Sequence, residues 1–168
     1  MGGTTKALNI GTDAAPSSLT NITIGSANGG ILTLSSPTVT VSGSLTSSGG
    51  IRVSGSGSAI GYSTGAGATV TQLTSRSTGV SIATATGSIT LFNTTTTANQ
   101  TTTFTVTNNG LTASDTVVVS QRSGVGIYFV GVTNVTTNSF QISVFTPVSV
   151  GSAEAPVLNF AVIKAVSS

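Results

Sequence analysis

Histidine and cysteine are both absent from this 168-residue chain. Without histidine, Ser-His-Asp and Cys-His catalysis are excluded and the commonest zinc ligand is missing. Without cysteine there is no disulfide framework and no thiolate chemistry. Carboxylates are then the only conventional general acid–base groups near neutral pH. The chain has three of them, Asp13, Asp115 and Glu154.

Charge of either sign is also scarce, at 5% of the residues against about 25% in typical soluble domains. The five basic residues are scattered: Lys6, Arg52, Arg76, Arg122 and Lys164. Phosphate neutralisation needs a basic stripe, so no nucleic-acid partner is expected. A nearly uncharged monomer with open strand edges would pair edge to edge, which favours an obligate oligomer.

Long apolar runs are missing too. A spanning helix needs about 20 consecutive apolar residues, whereas runs such as 127–130 are far shorter, so membrane insertion is not expected. The first ten residues lack the apolar segment of a secretory signal. We therefore expect synthesis and assembly in a cytoplasm.

Threonine, serine, glycine and valine dominate what is present, and the first and second parts of the chain differ. Thr and Val favour strands, while Gly and Ser supply turns, so the sequence predicts an all-β fold. Residues 1–60 contain no aromatic side chain, and all eight aromatics lie from Tyr62 onward. This composition shift predicts an N-terminal attachment segment and short β-shaft over 1–60, and a C-terminal knob over 61–168.

The first part carries apolar pairs that alternate with Thr or Ser, separated by Gly- and Ser-rich turns. The pairs are Ile22-x-Ile24, Leu32-x-Leu34, Val39-x-Val41 and Ile51-x-Val53. One thin stripe without aromatics cannot close a core in a single chain, but identical chains around an axis would bury it. The alternative is a disordered Gly/Ser linker. The recurrence of the pairs in phase favours the β-fibrous shaft or arm.

The second part has enough apolar residues for its own core. Its eight predicted strands are 70–74, 80–83, 88–92, 102–107, 116–121, 126–134, 139–146 and 155–166. This spacing predicts a β-sandwich of jelly-roll type. Predicted inward-facing residues are Phe104/Val106, Ile127/Phe129, Phe140/Ile142/Val144 and Leu158/Phe160/Val162. Phe104, Phe129, Phe140 and Phe160 are all expected to be buried.

Four stretches resemble a C-terminal domain found at the ends of many bacteriophage and prophage virion proteins, among them tail fibres and minor structural proteins. They are GYSTGAGATVTQ at 61–72, FTVTN at 104–108, DTVVV at 115–119 and APVLNFAVIK at 155–164. Their order along the chain matches as well. The resemblance covers about 61–166 and implies a trimeric knob that faces the host or the virion surface. It brings no catalytic residues, and residues 1–60 lie outside it.

Candidate catalytic groups are few. A glycosidase needs two carboxylates roughly 5–10 Å apart, and Asp115 and Glu154 could meet in the fold or across subunits. The simpler interpretation is that Asp115 is a turn residue and Glu154 a loop residue. Asp13 has no flanking acids to share a metal. We predict no catalytic, cofactor or metal-binding residues.

Other motifs have ordinary structural explanations. Gly65-Ala66-Gly67 lacks the residues of a nucleotide loop and is a close approach or turn. Tyr62 and Tyr128 could stack on sugars, although a strand aromatic is more often core. The Asn-x-Thr sequons are chance products of a Thr-rich chain, at Asn21, Asn93, Asn99 and Asn134. Polar side chains at 93–103 and 132–138, both expected to be loops, suit surface binding.

These observations lead to one main expectation and two alternatives. The main one is a homotrimeric virion fibre or spike without enzymatic activity. Its N-terminal segment would contact other virion proteins, and its knob would attach to a host surface glycan or protein. The first alternative is a capsid decoration or head-fibre protein anchored by its N-terminal segment. A glycan-cleaving tailspike fragment is less favoured.

Overall fold

The computed structural model describes Leu34, 39–48, 50–54, 56 and 60–165, and the chain divides into two units, Met1–Arg52 and Val53–Ser168. In the first unit, 39–41 and Ile51 are exposed and have no regular strand in the single chain. The pair Ile22/Ile24 lies outside the described residues, as does Leu32. A strand that forms only between copies cannot form in one chain, so the shaft stays a prediction.

The second unit is all-β, as predicted: its described residues form ten strands and no helix. The strands are β1 (Gly67–Thr71), β2 (Val80–Ser81), β3 (Thr86–Thr90), β4 (Thr94–Thr96), β5 (Gln100–Thr107), β6 (Thr116–Ser123), β7 (Phe129–Thr136), β8 (Ser139–Thr146), β9 (Val150–Glu154) and β10 (Val157–Ile163). No helix that could cross a membrane occurs in the described part of the chain.

Two four-stranded sheets and one two-stranded ribbon make up this unit. The first sheet has the order β1-β3-β10-β6, the second β2-β5-β8-β7, and β4 pairs with β9 in the ribbon. The β1–β3 and β2–β5 pairs are parallel and the others antiparallel. Both sheets are thus mixed, whereas a jelly roll is built from antiparallel strands.

The core lies between the two sheets, and the central strands β8 and β10 alternate buried positions with more accessible ones. Phe140 on β8 and Phe160 on β10 meet with ring centroids 5.4 Å apart. Ile89, Ile142 and Leu158 are fully buried around them. Alternation at period two puts Thr and Ser on the opposite faces. This all-β arrangement of two facing mixed sheets is consistent with a β-sandwich.

The predicted inward direction of Ile127 and Phe129 is wrong. Both are exposed, by 72% and 62%, while the intervening Tyr128 is 4% exposed. Phe129 stacks on Phe145 on the outer face, with centroids 6.3 Å apart. Tyr128 enters the interior because its phenol finds a carboxylate partner there, as described below. The predictions for Phe104, Phe140 and Phe160 are confirmed.

Three strands lie wholly or partly where the sequence predicts loops. β4 lies within 93–103, and most of 132–138 belongs to β7. β9 covers Glu154, which was expected to be in a loop. A tight turn joins β7 to β8: Thr136 pairs with Ser139, and Asn138 lies in the turn with a left-handed φ of 65°. Asn tolerates that backbone better than most residues.

Candidate binding site

Two cavities flank the β4–β9 ribbon in the second unit. The larger, which we call the apolar groove, has a volume of about 690 Å³ and is lined by 125–127, Phe129 and 147–154. The smaller, which we call the threonine cavity, has a volume of about 210 Å³ and is lined by Arg76, 94–97, Gln100, Thr102, Val144 and Thr146. β9 borders the first cavity and β4 the second. The ribbon therefore positions both.

A two-stranded ribbon is marginally stable by itself, and Arg76 ties this one to the sandwich. Its Nε donates to Phe92 O at 3.2 Å. Its Nη2 donates to Thr94 O at 3.3 Å and to Glu154 O at 3.0 Å. One guanidinium thus joins both strands of the ribbon, through Thr94 and Glu154, to the segment at Phe92 that precedes β4.

Gln72 holds the turn that carries Arg76. Its Nε2 donates to Arg76 O at 3.1 Å and to Thr78 O at 2.8 Å, and its Oε1 accepts from Phe92 N at 3.2 Å. Gln72 is 2% exposed. All the polar atoms of this amide are therefore satisfied inside the protein, and the turn is fixed relative to β3.

The Arg76 charge is buried without a direct ion pair. Arg76 is 7% exposed, and within the described residues the one salt bridge joins Lys164 to Asp115. The guanidinium carbon lies 5.1 Å from the centre of the Tyr128 ring, in a cation–π contact. Nη1 is buried and has no hydrogen-bond partner in the described part of the chain.

The carboxylate of Glu154 binds the segment that leads into β7, whereas its backbone oxygen binds Arg76. Its Oε1 accepts from Tyr128 Oη at 2.5 Å and from Gly126 N at 3.0 Å, and its Oε2 accepts from Val125 N at 2.5 Å. Partial burial would raise the pKa of this carboxyl. The three hydrogen bonds, with the charge of Arg76, outweigh that effect and lower the pKa below its ordinary value.

Gly126 is required by this arrangement. A Cβ there would lie 2.6 Å from Val150 Cγ2 and 2.7 Å from Glu154 Oε1. Both distances are shorter than real contacts allow, so a side chain would push the carboxylate away from its donors. Gln121 supports the same segment by donating to Gly126 O at 2.7 Å and accepting from Tyr128 N at 2.9 Å.

Asp115 and Glu154, the two candidate catalytic carboxylates, lie at opposite ends of β6. Asp115 precedes the strand, and Glu154 binds the segment just after it. An eight-residue strand rising about 3.3 Å per residue spans about 25 Å. That exceeds the separation of a glycosidase pair. The single chain therefore does not bring the two carboxylates together.

Asp115 closes a turn, as predicted. It accepts from Thr112 N at 2.8 Å and Ala165 N at 3.1 Å, and Lys164 Nζ lies 2.5 Å away. The Lys164 ammonium first, and then the Thr112 N–H, hold the pKa of this carboxyl well below its usual range. The cluster fastens the end of β10 to the start of β6.

The remaining sequence candidates fall in several places. Asp13 lies outside the described residues. Tyr62 donates to Val162 O and is half exposed. Gly65 has a φ of +88°, so the predicted turn is confirmed there. Within the described part of the chain no three acids could hold a metal together.

Arg76 was not singled out by sequence, because nothing in Ser75-Arg76-Ser77 distinguishes it from the exposed Arg122.

No protein-family model, curated protein or solved structure matches the chain.

Proposed function

We propose that this chain is a structural virion protein of a bacteriophage, a homotrimeric fibre or spike whose C-terminal sandwich attaches to the host surface. The order of the four stretches over 61–164 supports the virion assignment by resemblance. The shortage of charge and the lack of histidine and cysteine favour a mechanical role over a catalytic one.

One observation carries the assembly part of the proposal: large apolar side chains are exposed together along the apolar groove. They are Val125 (89% exposed), Ile127 (72%), Phe129 and Val148 (70%). Soluble monomers rarely present contiguous apolar patches of this kind. With so few charged residues nearby to keep molecules apart, this surface is suited to contact another copy of the chain.

A second apolar surface lies on the outer face of the first sheet. Val118 on β6 pairs directly with Ala161 on β10, and Ile163 follows two residues later on the same face. Val118 and Ile163 are each more than half exposed. Two separate apolar surfaces on one chain allow the head-to-tail contacts that close a ring of three.

Attachment would use the polar surfaces that remain free. The outer face of the second sheet carries Thr101, Thr103, Thr105 and Thr107 on β5, opposite Ser139, Gln141 and Ser143 on β8. Hydroxyls and amides of this kind form hydrogen bonds with sugars or with protein backbone. Three copies on one rigid spike would make weak single contacts effective through avidity.

Capsid decoration is the second candidate. Leu45 and Ile51 of the first unit are exposed and are suited to contact a partner protein. Such a partner would be present both on a phage tail and on a phage head. Glycan cleavage is less favoured, because the two carboxylates lie about 25 Å apart along β6 within one chain.

Immunogold electron microscopy tests the proposal directly. Antibody raised against the purified protein is applied to phage particles released from the source culture. We expect label at tail tips or fibres. Label over the head would favour decoration instead. Intact particles of that phage without any label would contradict both.

A further inference from the structure

We propose that the apolar groove of one copy binds the next copy of the trimer through Val118, Ala161 and Ile163 on the outer face of its first sheet. We call these three residues the outer patch. The inference rests on the trimer proposed above and deepens it, because it names the surface that fills the groove.

The lining of the groove determines what chemistry fits it. Four of its side chains are apolar and largely exposed, and its one charged lining residue is Glu154. Both carboxylate oxygens of Glu154 already accept hydrogen bonds from within the same chain. A charged occupant would lose its hydration in the groove without gaining a free counter-ion. The groove therefore fits an uncharged, apolar surface.

The outer patch meets this requirement. Val117 and Val119 pack in or against the core, so Val118 between them points outwards from β6. Val118 pairs with Ala161 on β10, and Ile163 lies two residues further along the same face. Among the described residues of the second unit, the other exposed large apolar side chains outside the groove all lie outside the strands: Val53, Ile60, Tyr62 and Leu73.

Short side chains continue the patch across the first sheet. The row that contains Val118 and Ala161 goes on to Thr86 on β3 and Gly67 on β1. Because glycine has no side chain, another surface can approach the backbone closely at that end of the row. The face is thus suited to receive side chains that project from a neighbouring copy.

The two charged residues that border the patch along the chain lie at its margins. Lys164 follows Ile163 and binds the buried carboxylate of Asp115. Arg122 lies four residues beyond Val118, about 13 Å along β6, and donates to a serine hydroxyl on β3. Covering the patch itself therefore buries no unpaired charge.

The groove and the outer patch lie on opposite faces of the sandwich. Phe129 in the groove belongs to the outer face of the second sheet, where it stacks on Phe145, whereas Val118 is on the outer face of the first. A copy therefore cannot fill its own groove with its own patch. A groove-to-groove contact is isologous and ends at two copies, whereas a contact between unlike surfaces is heterologous and can close a ring of three.

Cysteine cross-linking of the full-length protein tests this contact, because the chain has no cysteine of its own. The double variant Val118→Cys with Ile127→Cys is treated with a short bismaleimide and resolved on a denaturing gel. We expect covalent dimers and trimers and nothing larger, since position 118 of one copy meets position 127 of the next around a closed ring. Each single variant should give several-fold less product, because like positions do not meet in a head-to-tail contact.

The matched control is Leu73→Cys with Ile127→Cys. Leu73 is also exposed but lies outside both surfaces, so this pair should likewise give several-fold less product than the pair at 118 and 127. Equal cross-linking of the two pairs would show that the reaction is unspecific and would overturn the inference.

Mixing two surface variants gives an independent measurement. Ile127→Asp disrupts the groove and leaves the patch intact, while Val118→Asp disrupts the patch and leaves the groove intact. Each alone should be a monomer with the circular dichroism of the wild type. An equal mixture should form a dimer of twice the chain mass by native mass spectrometry, because the pair keeps one intact contact and cannot extend it.

Several results would overturn the inference. They are a trimeric wild type in which positions 118 and 127 are not linked, or trimers that persist in both Asp variants. Efficient linking in Ile127→Cys alone would mean a groove-to-groove contact. Linking of Leu45→Cys with Ile127→Cys in place of the pair at 118 and 127 would mean that the first unit fills the groove. A monomeric wild type would instead contradict the proposed trimer itself, so the two failures are distinguishable.

Discussion

Tyr128 and Glu154 are joined by a 2.5 Å hydrogen bond from the phenol to the carboxylate, although they are 26 residues apart in sequence. The bond connects the start of β7 to the end of β9. Arg76 then links the same end of β9 to β4 through the backbone of Glu154. One polar cluster thus holds the ribbon between the apolar groove and the threonine cavity.

Tyr128→Phe tests this cluster. Removing the hydroxyl takes one of three donors from Glu154, so we expect the pKa of Glu154 to rise towards its ordinary value. The free energy of unfolding should fall by about 1–2 kcal/mol. Carboxyl NMR titration measures the pKa of Glu154, and urea denaturation measures the free energy of unfolding. Tyr62→Phe is the matched control, because its phenol binds a neutral carbonyl and is half exposed; it should cost less than about 0.5 kcal/mol. Equal losses of unfolding free energy in both variants would show that the Tyr128–Glu154 hydrogen bond has no special stabilising role.

The Asp115–Lys164 pair predicts a dependence of stability on acid pH. The pKa of Asp115 is lowered in the folded protein, whereas the unfolded chain has an ordinary value of about 3.9. The stabilisation is therefore fully present above that pH and is lost as pH falls towards the folded value. Asp115→Asn and Lys164→Met should each flatten the stability curve below about pH 4. Wild-type steepness in both variants, from chemical denaturation at several pH values, would show that the pair has no such role.

The contact between the two sheets predicts large losses on truncation of its rings. Phe140 and Phe160 are 1% and 2% exposed, so each Phe→Ala change should cost roughly 3–5 kcal/mol of unfolding free energy. Leu73→Ala is the surface control, since Leu73 is 81% exposed, and it should cost under about 0.5 kcal/mol. Small losses at both phenylalanines would mean that the sheets do not pack through them.

The composition shift at residue 60 predicts that the two parts differ in independent stability. The fragment 61–168 should fold alone and melt cooperatively, because it contains every aromatic side chain. The fragment 1–60 should not, because its apolar stripe buries too little area in one chain. Circular dichroism of the two fragments measures this. A cooperative melt of the N-terminal fragment would refute the division.

The sequence allowed the all-β class and most strands to be predicted, because alternation is long and regular there. β8 was predicted with its observed ends, since polar and apolar residues alternate from Ser139 to Val144. The phase near β7 was wrong because Ile127, Tyr128 and Phe129 are all apolar enough to face inward. Tyr128 is the one that faces inward because its phenol binds Glu154, which lies 26 residues away in the sequence.

The ribbon and the two cavities could not be predicted in the same way. β4 consists of three threonines, and β9 carries Gly, Ser and Ala between its end residues, so neither shows a two-residue apolar period. The cluster joins Arg76, Tyr128 and Glu154, which are far apart in the chain. Contacts of this kind follow from the folded topology, and no local pattern encodes them.

The central claim is that this chain works as an assembled trimer, and its mass in solution tests that most directly. Light scattering or native mass spectrometry of the full-length protein should give three times the 16.4 kDa chain mass. The double variant Ile127→Ser with Phe129→Ser should shift the protein towards folded monomer, because it removes two exposed apolar side chains from the groove. A dimeric wild-type protein would contradict the trimer but would still agree with the proposal that the chain works as an assembly. A wild-type protein that is folded and monomeric at every concentration would contradict the account.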